Sequence, residues 1–373
     1  AFLLSSDKDR VSWKATILGF SVHTLLAFLL LNAPFISDGL MMVNILISAV
    51  EKAASFGTEF VFGFVGGGEA PFDVTDQSLM FVFAFRVLPQ VLIFSVLVAL
   101  FWHWRVLPYF VRLMGFLLSR VLKVRGPLAT AGASSLFLGM VEAPLVIRAY
   151  LATMSTSDYS AIMTLGMSTV AGSVLVLYAS VLNPVIDAAV TQIVAASLLN
   201  IVGAIYISRL FEPDSETDFT SVQTSSSLNF ESTMDALARG TSDGITLAIN
   251  VGAMVLVLVS LVALANGVLS LVNLFGVPLS LELILGWIFS PVAWLIGIPW
   301  NESAIGGGLL GTKLVLNELV AFIQLAEVAP ELSEHSVRVL TFALCGFANF
   351  GSLGILLGGL YVLVPERRDE TIR

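Results

Sequence analysis

Five stretches of this chain, residues 15–37, 159–186, 188–208, 244–281 and 339–365, contain no Asp, Glu, Lys or Arg. Each is long enough to cross a bilayer, for which about 20 apolar residues suffice. A sixth, 80–101, is interrupted only by Arg86. Inside hydrocarbon every backbone N–H and C=O must find its partner within the protein, so spans of this kind fold as packed helices. Composition agrees: 57% of residues are hydrophobic and 12% charged, against roughly 25% charged in soluble domains. The chain reads as an all-α, polytopic membrane protein.

The net charge of −9 carries little information about partners, because many of the acids collect in two segments, 51–76 and 212–243, that read as solvated loops. The basic residues flank apolar spans, which sets orientation and argues against nucleic acid. Lys8, Arg10 and Lys14, then Arg105 to Arg125, then Arg367 and Arg368 all fall on the cytoplasmic side if the two interrupted segments described next re-enter without crossing. Residues 38–77, with Glu51, Lys52, Glu59, Glu69 and Asp73, are too charged to span and read as an interfacial amphipathic helix with a glycine-rich end. Residues 103–125, with five basic side chains from Arg105 to Arg125, read as a second. The single cysteine, Cys345, excludes an intramolecular disulfide.

Two apolar stretches are interrupted in a related way. Residues 139–150, GMVEAPLVIRAY, place Glu142 directly before Ala-Pro. Residues 298–322, IPWNESAIGGGLLGTKLVLNELVAF, combine proline, a glycine cluster, Glu302 and Glu318. An acid at membrane depth costs several kcal/mol and marks a pathway or a site. Paired interruptions in two halves of a chain point to a secondary transporter built from inverted repeats. The expected elements are two re-entrant helical hairpins, 126–154 entering from the cytoplasm and 283–326 from outside. Each repeat then needs two spans after its hairpin; the first has 159–186 and 188–208, while the second has 339–365 and by symmetry calls for one helix more. The opening AFLLSS reads as the tail of a helix.

Two such hairpins meet only near the bilayer midplane, where their tips and the partly unwound spans beside them line a polar cavity. Glu142, Glu302, Glu318, Asn301, Asn317, Asn349 and Ser352 supply donors and acceptors for a neutral, hydroxyl-rich solute, and Phe347 offers a ring to stack on. Plainer readings stand beside this. Each Glu also reads as a structural acid paired with Lys313, Arg148 or backbone amides, and Asn349 with Ser352 also reads as the repair of a helix kink. His103 and His335 fall at span ends, and His23 reads as helix packing. No nucleophile and base pair, metal-ligand spacing or cofactor fingerprint is present in the sequence, which argues against an enzyme.

The segments GMVEAPLVIRAYL, PWNE at 299–302, GTKLVLNELVAF at 311–322 and FALCGFANFGSLGILLGGL at 342–360 resemble, in order, the signature segments of concentrative nucleoside transporters. The resemblance implies a homotrimer whose protomers each combine a scaffold with an elevator-type transport domain. It implies a base side formed by Met140, Val141 and Glu142 with Val174, and a ribose side formed by Glu318, Asn349 and Ser352 with Phe347 nearby. The domains expected are 1–125, scaffold spans and interfacial helices; 126–211, the first repeat; 212–243, a polar linker; 244–282, a long scaffold helix; and 283–373, the second repeat.

Two departures matter. Where the family usually has Gln-Thr before the Glu, this chain has Met140 and Val141, so two hydrogen-bonding groups for the base are replaced. Where sodium-dependent members use an Asn with a hydroxyl and carbonyls, the matching positions are Ser135, Leu138, Thr169 and Val170, a set that keeps oxygen ligands but shortens one. The coupling ion is therefore sodium at that set or a proton carried by Glu142, and no other cofactor is expected. The function implied is cation-coupled nucleoside symport across a bacterial inner membrane. The competing readings are an uncoupled channel or nutrient-sensing binding protein of the same fold, or a symporter for a modified nucleoside.

Overall fold

The computed structural model describes residues 2–32, 49–50, 52–74, 82–86, 88–186, 188–214, 230–274 and 277–372. It is helical throughout, apart from a two-residue antiparallel pairing of Asn273–Leu274 with Val277–Pro278. The principal helices are α1 (Trp13–Asn32), α2 (Leu88–His103), α3 (Val106–Leu122), α4 (Gly126–Ser134), α5 (Glu142–Val146), α6 (Arg148–Leu151), α7 (Thr156–Ser168) and α8 (Gly172–Leu182). They continue as α9 (Ala189–Phe211), α10 (Thr233–Leu269), α11 (Leu281–Leu295), α12 (Ser303–Val315), α13 (Glu318–Val328), α14 (Glu334–Leu344), α15 (Phe350–Leu363) and α16 (Arg368–Ile372). Residues 52–62 and Phe83–Arg86 are also helical.

Side chains that satisfy the free N–H groups of a first turn set where many of these helices begin. Ser155 accepts from Asp158 N at 3.2 Å to start α7, and Ser232 from Asp235 N at 3.1 Å to start α10. Asn317 accepts from Val320 N at 2.8 Å to start α13, and Asn349 from Ser352 N at 2.7 Å to start α15. Among the described residues four helical stretches are long and apolar enough to cross a membrane: Trp13–Leu30, Phe83–His103, Ala189–Phe211 and Thr233–Leu269.

Several boundaries differ from the sequence reading. The windows 159–186 and 339–365 are not single spans: the first divides into α7 and α8 around residues 169–171, the second into α14 and α15 around residues 345–349. Nothing in their hydropathy marks the breaks, which come from Asn349 capping a new helix and from backbone turns at small residues. Ser232 starts α10 eleven residues before the expected end of the linker, so 233–243 belong to the helix; residues 215–229 of that linker lie outside the described residues. The window 244–281 in turn ends as helix at Leu269. The expected second hairpin, 283–326, comprises three helices, because α11 is separate from the α12–α13 pair and turns at Gly297, whose φ is +109°. Phe2–Leu4 form a single 3-10 turn. Of the expected interfacial segment 38–77, residues 38–48, 51 and 75–77 lie outside the described residues.

The largest apolar core forms where α8, α9, α13 and α14 meet. Tyr178, Leu182, Ile193, Phe322, Leu325 and Leu340 are all almost fully excluded from solvent there. A second cluster, with Leu128, Ile147, Leu151, Ile162, Leu165 and Ile201, joins α4, α6, α7 and α9. Both cores hold the broken helices in place, so the loose ends of the breaks lie inside the protein.

Candidate functional site

Residues freed from helical geometry at the two breaks lie against each other. Gly346 adopts a φ of +145°, open mainly to glycine, and a Cβ there would lie 2.7 Å from the Ser168 carbonyl oxygen. That carbonyl and the Cys345 carbonyl have each left their helical ladder. Asn200, from the middle of α9, donates its Nδ2 to both, at 2.8 and 2.7 Å. One amide thus satisfies two buried acceptors that would otherwise each cost about 1–3 kcal/mol.

Beside this junction opens a cavity of about 630 Å³, lined by the turn before α5, by α8, by the α12–α13 break, by the α14–α15 break and by α10. Met140, Val141, Glu142, Val174, Glu318, Phe347, Asn349 and Ser352 all line it. These eight come from four separate stretches of sequence. The cavity has an oxygen-rich side and an apolar side. On the first, Glu318 is only 5% exposed and each of its oxygens accepts one hydrogen bond: the Tyr178 hydroxyl donates to Oε1 at 2.5 Å and Asn349 Nδ2 donates to Oε2 at 2.8 Å. Asn349 Oδ1 meanwhile accepts from Ser352 N, so the amide is oriented by the start of α15. Tyr178 is fixed in turn by its ring against Phe322, 4.9 Å between centroids. A carboxylate held this way keeps outward lone pairs for hydroxyl donors. Asn349 therefore both starts α15 and lines the cavity.

On the other side, Val174, Leu177, Met140 and Val141 present apolar walls. Val141 packs its methyls on α15, where a Cβ on Gly359 would lie 2.7 Å from them. Glu142 is exposed to the cavity and folds back on its own turn: a Cβ at Gly139 would lie 2.3 Å from Glu142 Oε2, so a larger residue there would require the carboxylate to move.

Other expected residues fall elsewhere. Asn301 is exposed and Glu302 half-buried, and neither lines the cavity; Glu302 accepts from Ser333 N at 3.2 Å and Oγ at 2.9 Å in the loop before α14. Its apolar flanks in sequence belong to two different helices. Asn317 lines the cavity, but its side-chain oxygen caps α13. Lys313 does not pair with any Glu among the described residues; its Nζ donates to Ala343 O at 2.8 Å. Sequence reasoning does not reach Tyr178, Asn200 or Asn250, another cavity residue, because each lies in a charge-free run and reads as part of a span.

Ser135, Leu138, Thr169 and Val170 are buried behind the cavity. The turn holding the first two packs on the α7–α8 break that holds the others, with Gly172 N donating to Phe137 O at 3.2 Å. The two hydroxyls donate to their own helices, to Gly132 O and Leu165 O, which leaves oxygen lone pairs. Hydroxyls and backbone carbonyls form a neutral, all-oxygen donor set that fits a hard monovalent cation. Among the described residues no cluster of three or more His, Cys, Asp or Glu offers a transition-metal site.

Comparisons with known proteins agree on a family. Residues 1–65 and 192–373 match the models of the Na+ dependent nucleoside transporter N-terminus and C-terminus, and residues 84–185 match a nucleoside recognition model. The chain is 36% identical to the nucleoside permease NupC of Helicobacter pylori, covering all of this chain and 89% of that one. It is 30% identical to human solute carrier family 28 member 3, over 99% of this chain and 54% of the carrier. Its fold matches the solved structure of CNTnw in an inward-facing substrate-bound state with a TM-score of 0.91, at 35% identity over 99% of this chain and 89% of that one. A variant of CNTnw in an outward-facing state matches with a TM-score of 0.90. With its membrane-spanning helices and these relatives, which are permeases and carriers rather than enzymes, the chain belongs to the concentrative nucleoside transporter family.

Proposed function

We propose that this protein is a cation-coupled nucleoside symporter of a bacterial inner membrane, working as a homotrimer by elevator-type alternating access. The observation that carries the reading is the convergence of eight residues from four stretches of sequence on one cavity, with Glu318 clamped by Tyr178 and Asn349. Clamped acceptors suit the ribose hydroxyls, and the apolar wall at Met140, Val141 and Val174 suits the flat base.

The order of helices supports a repeat. An interfacial helix, a pair of short helices, a broken helix and a long one run α3, α4–α5, α7–α8, α9. The same order restarts with α11, α12–α13 and α14–α15. Helices α12 and α13, of 13 and 11 residues, are too short to cross, since about 20 residues are needed; each pair is read as a re-entrant hairpin. The breaks, the hairpins and the cavity then move together as the transport domain within 126–211 and 283–373. α10 acts as scaffold, none of its most apolar window being buried inside the protomer. The coupling cation sits at Ser135, Leu138, Thr169 and Val170 if it is sodium, or travels on Glu142 if it is a proton.

Equilibrium binding to the purified full-length protein tests the cavity assignment. Uridine or adenosine should bind, and the 2′- and 3′-deoxy forms should bind more weakly because they lack the hydroxyls Glu318 accepts. Equal affinity for ribose and deoxyribose forms would remove the ribose side of the assignment.

A further inference from the structure

The two helix breaks differ in charge. At the α14–α15 break, Lys313 reaches across from α12 and its Nζ donates to the carbonyl of Ala343, 2.8 Å away in the last turn of α14. Carbonyls in a last turn lack intrahelical partners and carry the negative end of the helix dipole, so a cation is favoured there. The chain supplies that cation itself. At the α7–α8 break the carbonyls are met by neutral donors: Thr169 N and Oγ1 on Leu165 O, and Asn200 Nδ2 on Ser168 O. The turn packed on it brings the hydroxyl of Ser135, also neutral.

Lys313 also lies close along the chain to the cavity's clamped acid. It lies near the end of α12, and Glu318 opens α13 just across the break at Leu316 and Asn317. The two side chains interact electrostatically without forming a direct ion pair. The carboxylate's hydrogen-bonding capacity on its inner side is taken by Tyr178 and Asn349, both neutral. Among the described residues, Lys313 is a cationic side chain that interacts with this carboxylate at longer range.

We infer that Lys313 is a tethered counter-cation: its ammonium permanently occupies, at the α14–α15 break, a place that an exchangeable monovalent cation would otherwise take. It balances Glu318 while nucleoside binds and is released to neither side of the membrane. Lys313 is thus a positioning residue for Glu318 and for the end of α14, and touches no solute. The inference rests on reading the cavity as the nucleoside site.

The test is equilibrium binding of tritiated uridine and adenosine to the full-length protein in detergent, in choline buffer with or without millimolar methylammonium. Wild type, Lys313→Ala and Lys313→Arg are compared. The expected result is that Lys313→Ala weakens binding by at least about tenfold and that methylammonium or ammonium restores it. Tetramethylammonium, which cannot donate a hydrogen bond to Ala343 O, should not. Lys313→Arg should stay near wild type, and wild type should ignore the added amines. Three results would each overturn the inference: Lys313→Ala binding as wild type does without added cation, a monodisperse Lys313→Ala that no small amine restores, or wild type responding to the amines as the variant does. Melting temperature gives a second readout that needs no nucleoside. Stabilisation by methylammonium confined to Lys313→Ala supports the inference, and equal shifts in both proteins contradict it. If wild type binds neither nucleoside, the nucleoside reading fails while the melting comparison still decides the role of Lys313.

Discussion

Asn349 Nδ2 donates to Glu318 Oε2 across 2.8 Å, while the oxygen of the same amide caps the first turn of α15 at Ser352 N. The start of a helix and the orientation of a buried carboxylate are therefore set by one side chain. The α14–α15 break is consequently part of the cavity wall as well as an interruption of a span.

Removing a donor from this clamp should loosen the acid without emptying the cavity. Tyr178→Phe leaves Oε1 of Glu318 without its partner, a loss of about 1–3 kcal/mol, equivalent to roughly 5- to 150-fold in affinity. The loss should fall mainly on discrimination between ribose and deoxyribose nucleosides, because the freed carboxylate no longer holds one orientation. Competition binding with the two sugar forms measures it. Glu318→Ala should abolish binding of both.

The junction of the two breaks should be the most sensitive structural point in the molecule. Asn200→Leu strands the Ser168 and Cys345 carbonyls together, at about 1–3 kcal/mol each. Gly346→Ala forces a side chain toward the Ser168 carbonyl at a φ of +145°. Both variants should melt well below wild type in detergent, whereas Asn301→Ala, at an exposed position, should leave melting unchanged. Thermal unfolding of the three side by side is the check.

Base recognition should be adjustable at two residues. Met140→Gln with Val141→Thr places an amide and a hydroxyl on the base side of the cavity with little change of volume. Val141 already packs tightly on Gly359, so the near-isosteric Thr is accommodated. The double variant should favour a preferred base by about tenfold while leaving ribose discrimination untouched. Inhibition constants for a panel of nucleosides that differ only in the base would show it.

Beyond the last long helix, Arg367 donates to the Leu151 and Met154 carbonyls at 2.8 and 2.9 Å, lies over the Tyr159 ring and pairs with Glu370. The hydrogen bond from Arg367 holds the Glu370 carboxyl below its ordinary range. A carboxylate lowered in this way adds stability above its unfolded pKa, and that stability is lost as pH falls through the lowered folded value. Melting temperature should therefore decline as pH drops below about 4. Arg367→Gln should lower melting at neutral pH and flatten that acid limb.

The sequence carried much of this architecture, and its failures have physical causes. Charge-free windows gave the helical membrane character, and the acids embedded in GMVEAP and NELVAF led to two walls of the cavity. Glu302 did not join them, although it stands in the same kind of context, because its neighbours before and after belong to different helices and its carboxylate accepts from Ser333, away from the cavity. The break at residues 345–349 was visible as a kink in GFANFGS. The break at 169–171 was not, because small uncharged residues there preserve the apolar average. Tyr178 and Asn200 were hidden in the same way: a polar group within a span shows its purpose only once the partners it satisfies, Glu318 and two freed carbonyls, are placed beside it.

The central claim is concentrative transport through this cavity, and the most direct measurement is nucleoside uptake into proteoliposomes of the full-length protein under a sodium gradient, a proton gradient or neither. The account predicts accumulation of uridine or adenosine above the external concentration under one of the two gradients, and none with Glu318→Ala. Accumulation driven by sodium assigns the ion to Ser135, Leu138, Thr169 and Val170; accumulation driven only by protons assigns it to Glu142. Nucleoside that merely equilibrates across the membrane under every gradient, or fails to enter at all, would contradict the account.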